Sequence, residues 1–309
     1  GVRLVGSEMC IRDRFYLIPE LELRDIQFLT ENIHIKAPKL VATWKLMSLL
    51  KGDTSVSSVR LEGPDILIKK NSIGPESEKK NLSMEERLKE SLSFAPVKYL
   101  ELSQAQITFF HQKKYYQLNQ TDVYMLRLAK HANFQVMGRL THGIKTSFRF
   151  RIKGRFDYAY LDLSGEAEFT RLVLSELPMP HAIKKHASFY KDPLDIKVIF
   201  TYYPKTEDFY FNGTLTFFFP KISPQIIHVK GEKKEKKKGS LEVTSPRLSV
   251  AALPKIWPPM SGAFQAWVFK SVTAGALRHI QLKVLLKKQE EGSVALDNIT
   301  GEFEGEGLT

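Results

Sequence analysis

Apolar and polar residues alternate one for one through most of the chain beyond residue 98, and a period of two is the mark of a strand with one buried face. Between Tyr158 and Phe169, Ala159, Leu161, Leu163, Gly165, Ala167 and Phe169 fall on one side, while Tyr158, Tyr160, Asp162, Ser164, Glu166 and Glu168 fall on the other. Phe148, Phe150 and Ile152 oppose Arg149, Arg151 and Lys153 in the same way, and Ala132, Phe134, Val136 and Leu140 oppose Asn133, Gln135 and Arg139. A further apolar set is Phe209, Phe211, Leu215, Phe217 and Phe219. At ~3.3 Å per residue, strands of this kind reach about 40 Å, twice the usual length. The expected fold is therefore mainly β: long antiparallel strands in a curved, taco-like sheet with an apolar groove and a few short helices.

Turn-rich connections such as Thr141–Lys145 and Pro204–Glu207 fit a meander and disfavour parallel βαβ winding. Helical patterning is confined to Trp44–Leu50, Ser83–Leu92, a piece near His181–His186, and Gly262–Val272. The Ser-, Glu- and Lys-rich segment Asn71–Asn81 reads as an exposed linker. The expected organisation is a leader over 1–14, an N-terminal β unit over 15–70, a linker with a short amphipathic helix over 71–93, a main sheet over 94–251, and a helix block opening a further β unit over 252–309. The charged stretch Gly231–Gly239 divides the last two, either as a solvated hairpin tip or as a tip that contacts lipid headgroups. Leu296–Gly305 reads as another alternating strand with nothing left in the chain to pair it, so a continuation beyond Thr309 is expected.

The 309 residues are 43% hydrophobic, enough for a sizeable core, and 46 basic against 34 acidic residues give a net charge of +12. That charge favours anionic partners without choosing among nucleic acid, phospholipid headgroups and acidic polymers. Cys10 is the only cysteine, which excludes an internal disulfide and a thiolate metal cage. No stretch reaches the ~20 apolar residues of a membrane helix. The opening Gly1–Arg14 (GVRLVGSEMCIRDR) is similar to translated sequencing-adapter read-through, which predicts that the natural N-terminus, with any membrane anchor, is missing.

A catalytic reading finds no support in the residues. No Gly-x-Ser-x-Gly elbow occurs, and His181 and His186 are five apart, off the i, i+4 spacing of a helical metal pair. Gly138–Thr146 (GRLTHGIKT) departs from a phosphate loop by one residue and joins two strands where a helix is needed. Glu166 and Glu168 stand about 7 Å apart on one strand face, within reach of glycosidase spacing, but they continue a polar outward run. Arg149, Arg151, Lys153 and Arg155 with Tyr158 and Tyr160 form a basic, aromatic face without the signature of any nucleic-acid-binding module. The chain is thus expected to be no enzyme, to use no cofactor and no metal, and not to bind nucleic acid.

Two segments resemble a known family. Glu20–Lys70 is similar to the start of AsmA-like proteins: Leu49, Leu50, Lys51 and Gly52 match a Leu-Leu-x-Gly helix turn, and Val59, Leu61, Gly63, Pro64, Ile66 and Ile68 match the pattern V-x-L-x-G-P-x-I-x-I. Leu253, Trp257, Pro258, Trp267, Gly275 and Leu277, followed by Ile280, Leu282 and Val284, resemble the Trp-Pro, Trp, Gly block of the YhdP-type central domain, with Gln265 and Ala266 where the family carries an Arg. Together they span about a quarter of the chain. The resemblance implies part of a bridge-like protein in the periplasm of a Gram-negative bacterium, anchored in the inner membrane, that moves phospholipid along an apolar β groove to the outer membrane. The residues expected to line the groove are Phe134, Val136, Phe148, Phe150, Leu161, Leu163, Phe209, Phe211 and Phe217; a sealed β-sandwich core is the competing reading of the same residues. A TamB-like assembly factor that works by strand addition, with envelope partner proteins, and a polyanion-binding β module are the alternative functions.

Overall fold

The structure is a computed structural model that describes residues 3–4, 8–11, 19–30, 33–52, 55–68, 97–111, 114–142, 146–174, 192–234, 238–256, 270–288 and 294–309. Strands hold 73% of the described residues, so the protein is mainly β, as its alternation predicts. The chain divides into two compact units, residues 1–163 and 164–309.

The first unit contains β1 (Arg3–Leu4), β2 (Glu8–Ile11), β3 (Glu20–Leu29), β4 (Ile33–Thr43), α1 (Leu46–Leu50), β5 (Ser58–Glu62), β6 (Asp65–Ile68), β7 (Tyr99–His111), β8 (Lys114–Arg127), β9 (His131–His142) and β10 (Thr146–Asp157). β3 pairs antiparallel with β4, and β4 pairs along its length with β5 and then β6. Beyond them β7, β8, β9 and β10 form an antiparallel meander. Against the expectation of antiparallel pairing throughout, β5 and β6 run parallel to β7. The pairing also joins 15–70 to the strands after residue 97, so the supposed N-terminal unit shares one sheet with the start of the supposed main sheet. The physical reason is length: a connection of more than a dozen residues, here 69–96, suffices to carry the chain back to the same end of a sheet.

Registers show how sequence becomes surface. Residues directly opposite one another on paired strands share a face. Leu21 and Leu23 lie opposite Ala42 and Leu40, which meet Val59 and Leu61; these lie beside Leu100 and Leu102, then Met125 and Val123, then Phe134 and Val136. In the other half Phe28 leads through Ile35, Ile66, Ile107, Leu118 and Leu140 to Phe148. Every one of these residues is apolar. The opposite face carries charge, with Arg24 bonded to Glu22 at 3.0 Å, Lys39 to Glu62 at 3.2 Å and Arg60 to Glu101 at 2.7 Å.

The two halves meet at a crease where the alternation changes phase. On β3 the apolar positions pass from Leu21 and Leu23 to Ile26 and Phe28; on β7 they pass from Leu100 and Leu102 to Ala105 and Ile107; on β8 they pass from Tyr116 and Leu118 to Thr121 and Val123. Each change needs one extra residue, and Asp25, Gln104 and Gln120 supply it with left-handed backbones (φ 50°, 53° and 49°). Asp122 of β8 accepts the Gln104 backbone N–H at 2.7 Å, which holds that bulge. Between β5 and β6 the same step is made by Gly63 (φ 58°) and Pro64, and the ladder closes around them: Gly63 N–H donates to Ser103 and the Gln106 N–H to Pro64, both at 2.8 Å. Along the crease Ile26, Ala37, Pro64, Ala105 and Thr121 are all buried, and a side chain added at Gly138 would press on Thr121 and Phe150.

The second unit contains β11 (Leu163–Leu172, beginning at the boundary), β12 (Leu194–Tyr203), β13 (Asp208–Phe217), β14 (Gln225–Lys234), β15 (Lys238–Ser249), α2 (Leu253–Ile256), β16 (Ala276–Lys288) and β17 (Val294–Glu306). β12 to β17 pair in chain order, all antiparallel. Two expectations change here. The helix block does not open a separate unit, because β16 pairs with β15 across it. The terminal alternating segment does find a partner, since β17 pairs with β16 over its length. Gly231–Gly239 joins a hairpin, as the first of its two readings has it, its strands continuing to Lys234 and Lys238, which face each other. Of the other expected helices, Trp44–Leu50 matches α1, and Lys270 and Ser271 end the one expected over Gly262–Val272. Ser83–Leu92, His181–His186 and the linker Asn71–Asn81 lie outside the described residues.

Candidate functional site

In both units the feature that stands out is an extended apolar face whose large side chains are half-exposed. In the first unit Leu23, Leu40, Leu61, Leu102, Val123, Val136, Phe134, Ile152, Phe150 and Phe148 all keep part of their surface accessible. Ile33, at the end of β4, is exposed. Inward-facing side chains between two packed sheets would be almost wholly buried. The rings associate with one another: Phe148 meets Phe150 edge-on at 6.5 Å, and Phe109 stacks on Tyr116 at 5.5 Å. Burial lifts the Tyr116 phenol above its ordinary pKa, as an apolar surrounding does.

In the second unit the face is graded. Phe200, Tyr202, Phe209 and Phe211, then Val229, Val243, Leu282 and Val284, share it by register and are half-exposed. Towards α2 exposure vanishes: Leu172, Leu194, Phe217, Phe219, Ile227, Leu248, Leu277 and Ile280 are buried together with Val250, Ala252 and Leu253 of the short helical turns. The helix is pinned there by Lys255, which lies 3.6 Å from Asp192 and 5.0 Å over the Phe219 ring. The two buried polar side chains at that end are satisfied. Gln225 accepts the Ser249 N–H and donates to the Ser223 carbonyl, and Ser245 donates to the Ile226 carbonyl. A shallow depression on the opposite, polar face is lined by Tyr210, Asn212, Lys230, Glu232 and Lys283. There Glu232 is held below the usual carboxylate range by its hydrogen bond from Lys234.

The residues expected to line a groove divide between the units. Phe134, Val136, Phe148 and Phe150 do share one half-exposed face of the first unit. Phe209, Phe211 and Phe217 share one face of the second, with Phe217 buried at the capped end. Leu161 does not lie on a strand: it is buried, with a left-handed backbone (φ 63°), in the turn 158–162, and Leu163 begins β11. The Asp157 carboxylate accepts the Ala159 and Tyr160 N–H groups, and this turn interrupts the strand expected over 158–169. Gly63 and Pro64 sit in the crease, and Gly275 (φ 106°) lies so close to the carbonyls of Glu306 and Gly307 that no side chain fits. Trp257, Pro258 and Trp267 lie outside the described residues.

Sequence reasoning missed that residues 20–68 contribute as much apolar face as the later strands. The signal was present as doublets that interrupt the apolar period, Arg24-Asp25, Pro38-Lys39, Glu62-Gly63, Ser103-Gln104 and Asn119-Gln120, at which the alternation changes phase. Glu166 and Glu168 both bind Lys197 Nζ, at 2.8 and 3.1 Å, and the amine is drawn above its ordinary pKa by those two bonds. Among the described residues no three His, Cys, Asp or Glu side chains come together as a metal site, and no helix is long and apolar enough to cross a membrane. No protein-family model and no curated protein matches the chain.

Proposed function

We propose that the chain carries phospholipid, with the acyl chains lying along the half-exposed apolar faces, as part of a periplasmic bridge between inner and outer membranes of the AsmA-like, YhdP-type kind. One observation carries this reading. The first unit presents unbroken apolar rows across β3 to β10 whose Leu, Ile and Phe side chains remain accessible. Apolar surface in water costs ~25 cal/mol per Å², so a face of this extent calls for an occupant, and acyl chains are flexible enough to follow it. Such transfer needs no covalent step, and the residues named above offer none.

The test is Phe150→Glu together with a phospholipid bearing a photoactivatable acyl chain. A carboxylate on the face expels the chain, because charge is costly in apolar surroundings. Crosslinking is expected to fall to background while the β signal in circular dichroism and the melting transition survive. If the substitution instead unfolds the protein, Phe150 belongs to a sealed core and the reading fails.

A second reading rests on Arg149, Arg151, Lys153 and Arg155, all exposed on the opposite face of β10. A polyanion would bind there with steep salt dependence.

A further inference from the structure

The charged face of the first unit changes character across the sheet. On β3 to β7 its cations are matched by acids, Arg24 with Glu22, Lys39 with Glu62 and Arg60 with Glu101. On β9 and β10 the matching stops. By register Arg139 of β9 lies directly opposite Arg149 of β10, and the next residue of β10 on that face is Arg151, opposite Met137. Arg149 and Arg151 are exposed, and Arg139 is half-buried. Among the described residues none of these three arginines makes an ion pair with a carboxylate. Their surroundings on the face are largely neutral. Arg139 lies opposite Asn119, whose amide donates to Thr141 Oγ1 at 2.8 Å, and Thr141 lies opposite Gln117. Asp122, the acid opposite Met137, accepts the Gln104 backbone N–H at 2.7 Å. Further along β10, Arg155 does have an acid beside it, Asp157 at 3.9 Å.

The second reading takes the outer face of β10 as a surface for anions, and resting on it we infer that Arg139 and Arg149, with Arg151 beside them, form a seat for a single phosphate group, carried by a lipid headgroup or by a free phosphate compound. Residues directly opposite on paired strands stand about 4.5–5.5 Å apart at Cβ, so two arginines in that relation repel, and like charges so placed weaken the pairing. One acid in the row would remove the repulsion, as acids do elsewhere on the same face. The facing pair instead leaves its neutralisation to an anion from outside. Arginine also selects which anion. Its planar fork offers paired N–H donors that match two oxygens of a phosphate, and two forks from neighbouring strands approach one phosphate from two sides. The ladder fixes the spacing of the two backbones, so only the side chains must order when the group arrives.

The experiment uses the full chain and two probes: inorganic pyrophosphate, followed by calorimetry, and phosphatidylcholine vesicles containing phosphatidic acid, followed by co-sedimentation. Arg139→Gln and Arg149→Gln are each expected to lower affinity about tenfold, the loss of a charged hydrogen bond. Arg155→Gln removes the same charge from the same strand outside the pair and is expected to lower it by less than about twofold, as an exposed charge acting at a distance does. Arg149→Lys, which keeps the charge and loses the fork, is expected to fall between. That pattern with both probes assigns the seat to the phosphate group whatever carries it; the same pattern with vesicles alone assigns it to the headgroup. Equal losses from Arg149→Gln and Arg155→Gln would mean a diffuse field and overturn the seat, with the polyanion reading intact. If the wild type binds neither probe the seat falls, and binding of single-stranded DNA at low salt then decides whether the polyanion reading falls with it. Melting without any anion gives an independent check: Arg149→Gln relieves the repulsion and is expected to melt above the wild type at low salt. A variant that melts no higher shows that the two guanidiniums do not share one place, which also overturns the seat. If either glutamine variant fails to fold, Arg149→Lys against Arg155→Gln decides by the same ratio.

Discussion

The crease of the first unit and the capped end of the second both bury apolar side chains, but by opposite means. At the crease the strands bend over a row of small residues, Ala37, Pro64, Ala105 and Thr121, and the chain covers that row with its own neighbours. Bending leaves the rows on either side accessible. At the capped end a separate element, the turns over 250–256, is tied down by Lys255, which reaches Asp192 and the Phe219 ring, and by the Val250 N–H on the Gly275 carbonyl, and Leu194, Phe217 and Leu277 are buried there. Curvature keeps an apolar face open, whereas a cap removes it from use, and only the open stretches can serve a ligand.

The harshest way to break this comparison is to insert one alanine directly after Gln104. The left-handed residue already absorbs one position, so a second extra residue shifts the phase beyond it and turns Ala105, Ile107 and Phe109 to the charged face, away from the side they share with Thr121, Leu118 and Tyr116. Loss of the cooperative unfolding transition of the first unit is expected, with the second unit retained, as read by hydrogen exchange. An insertion tolerated with unchanged exchange would show that the crease is not set by the count of residues at the bulge. Next in size is the capped end. Leu194 is 1% exposed, and Leu194→Ala is expected to cost about 2–5 kcal/mol in urea unfolding. A cost below about 1 kcal/mol would mean that the cap does not seal the face.

Much of this was readable in the residues, and the failures have physical causes. Alternation identified the faces of β9, β10 and β13 correctly because those strands hold one phase from end to end. It failed on β3 and β7 because a left-handed residue in mid-strand resets the phase, and only a polar doublet records it. Leu161 was placed on a strand because alternation does not register a turn fixed by the Asp157 side chain. The parallel contact of β5 and β6 with β7 depends on a long-range return of the chain that no local pattern encodes.

The smallest expected effect separates the two regions most finely, by adding one methyl group to each. At the crease a Cβ on Gly138 would stand 2.7 Å from Thr121 Oγ1 and 3.2 Å from the Thr121 backbone, and Thr121 has no free space. Gly138→Ala is therefore expected to cost about 1–3 kcal/mol, as overpacking does in a tight core. On the open stretch of the second unit a Cβ on Gly231 would press on the Phe211 ring, whose half-exposed side lets it swing aside. Gly231→Ala should then cost less than about 1 kcal/mol, the methyl group being met by rotation of a ring rather than by displaced backbone. Equal costs at the two sites in urea unfolding would mean that Phe211 is as tightly held as Thr121, and the distinction between an open face and a closed bend would collapse.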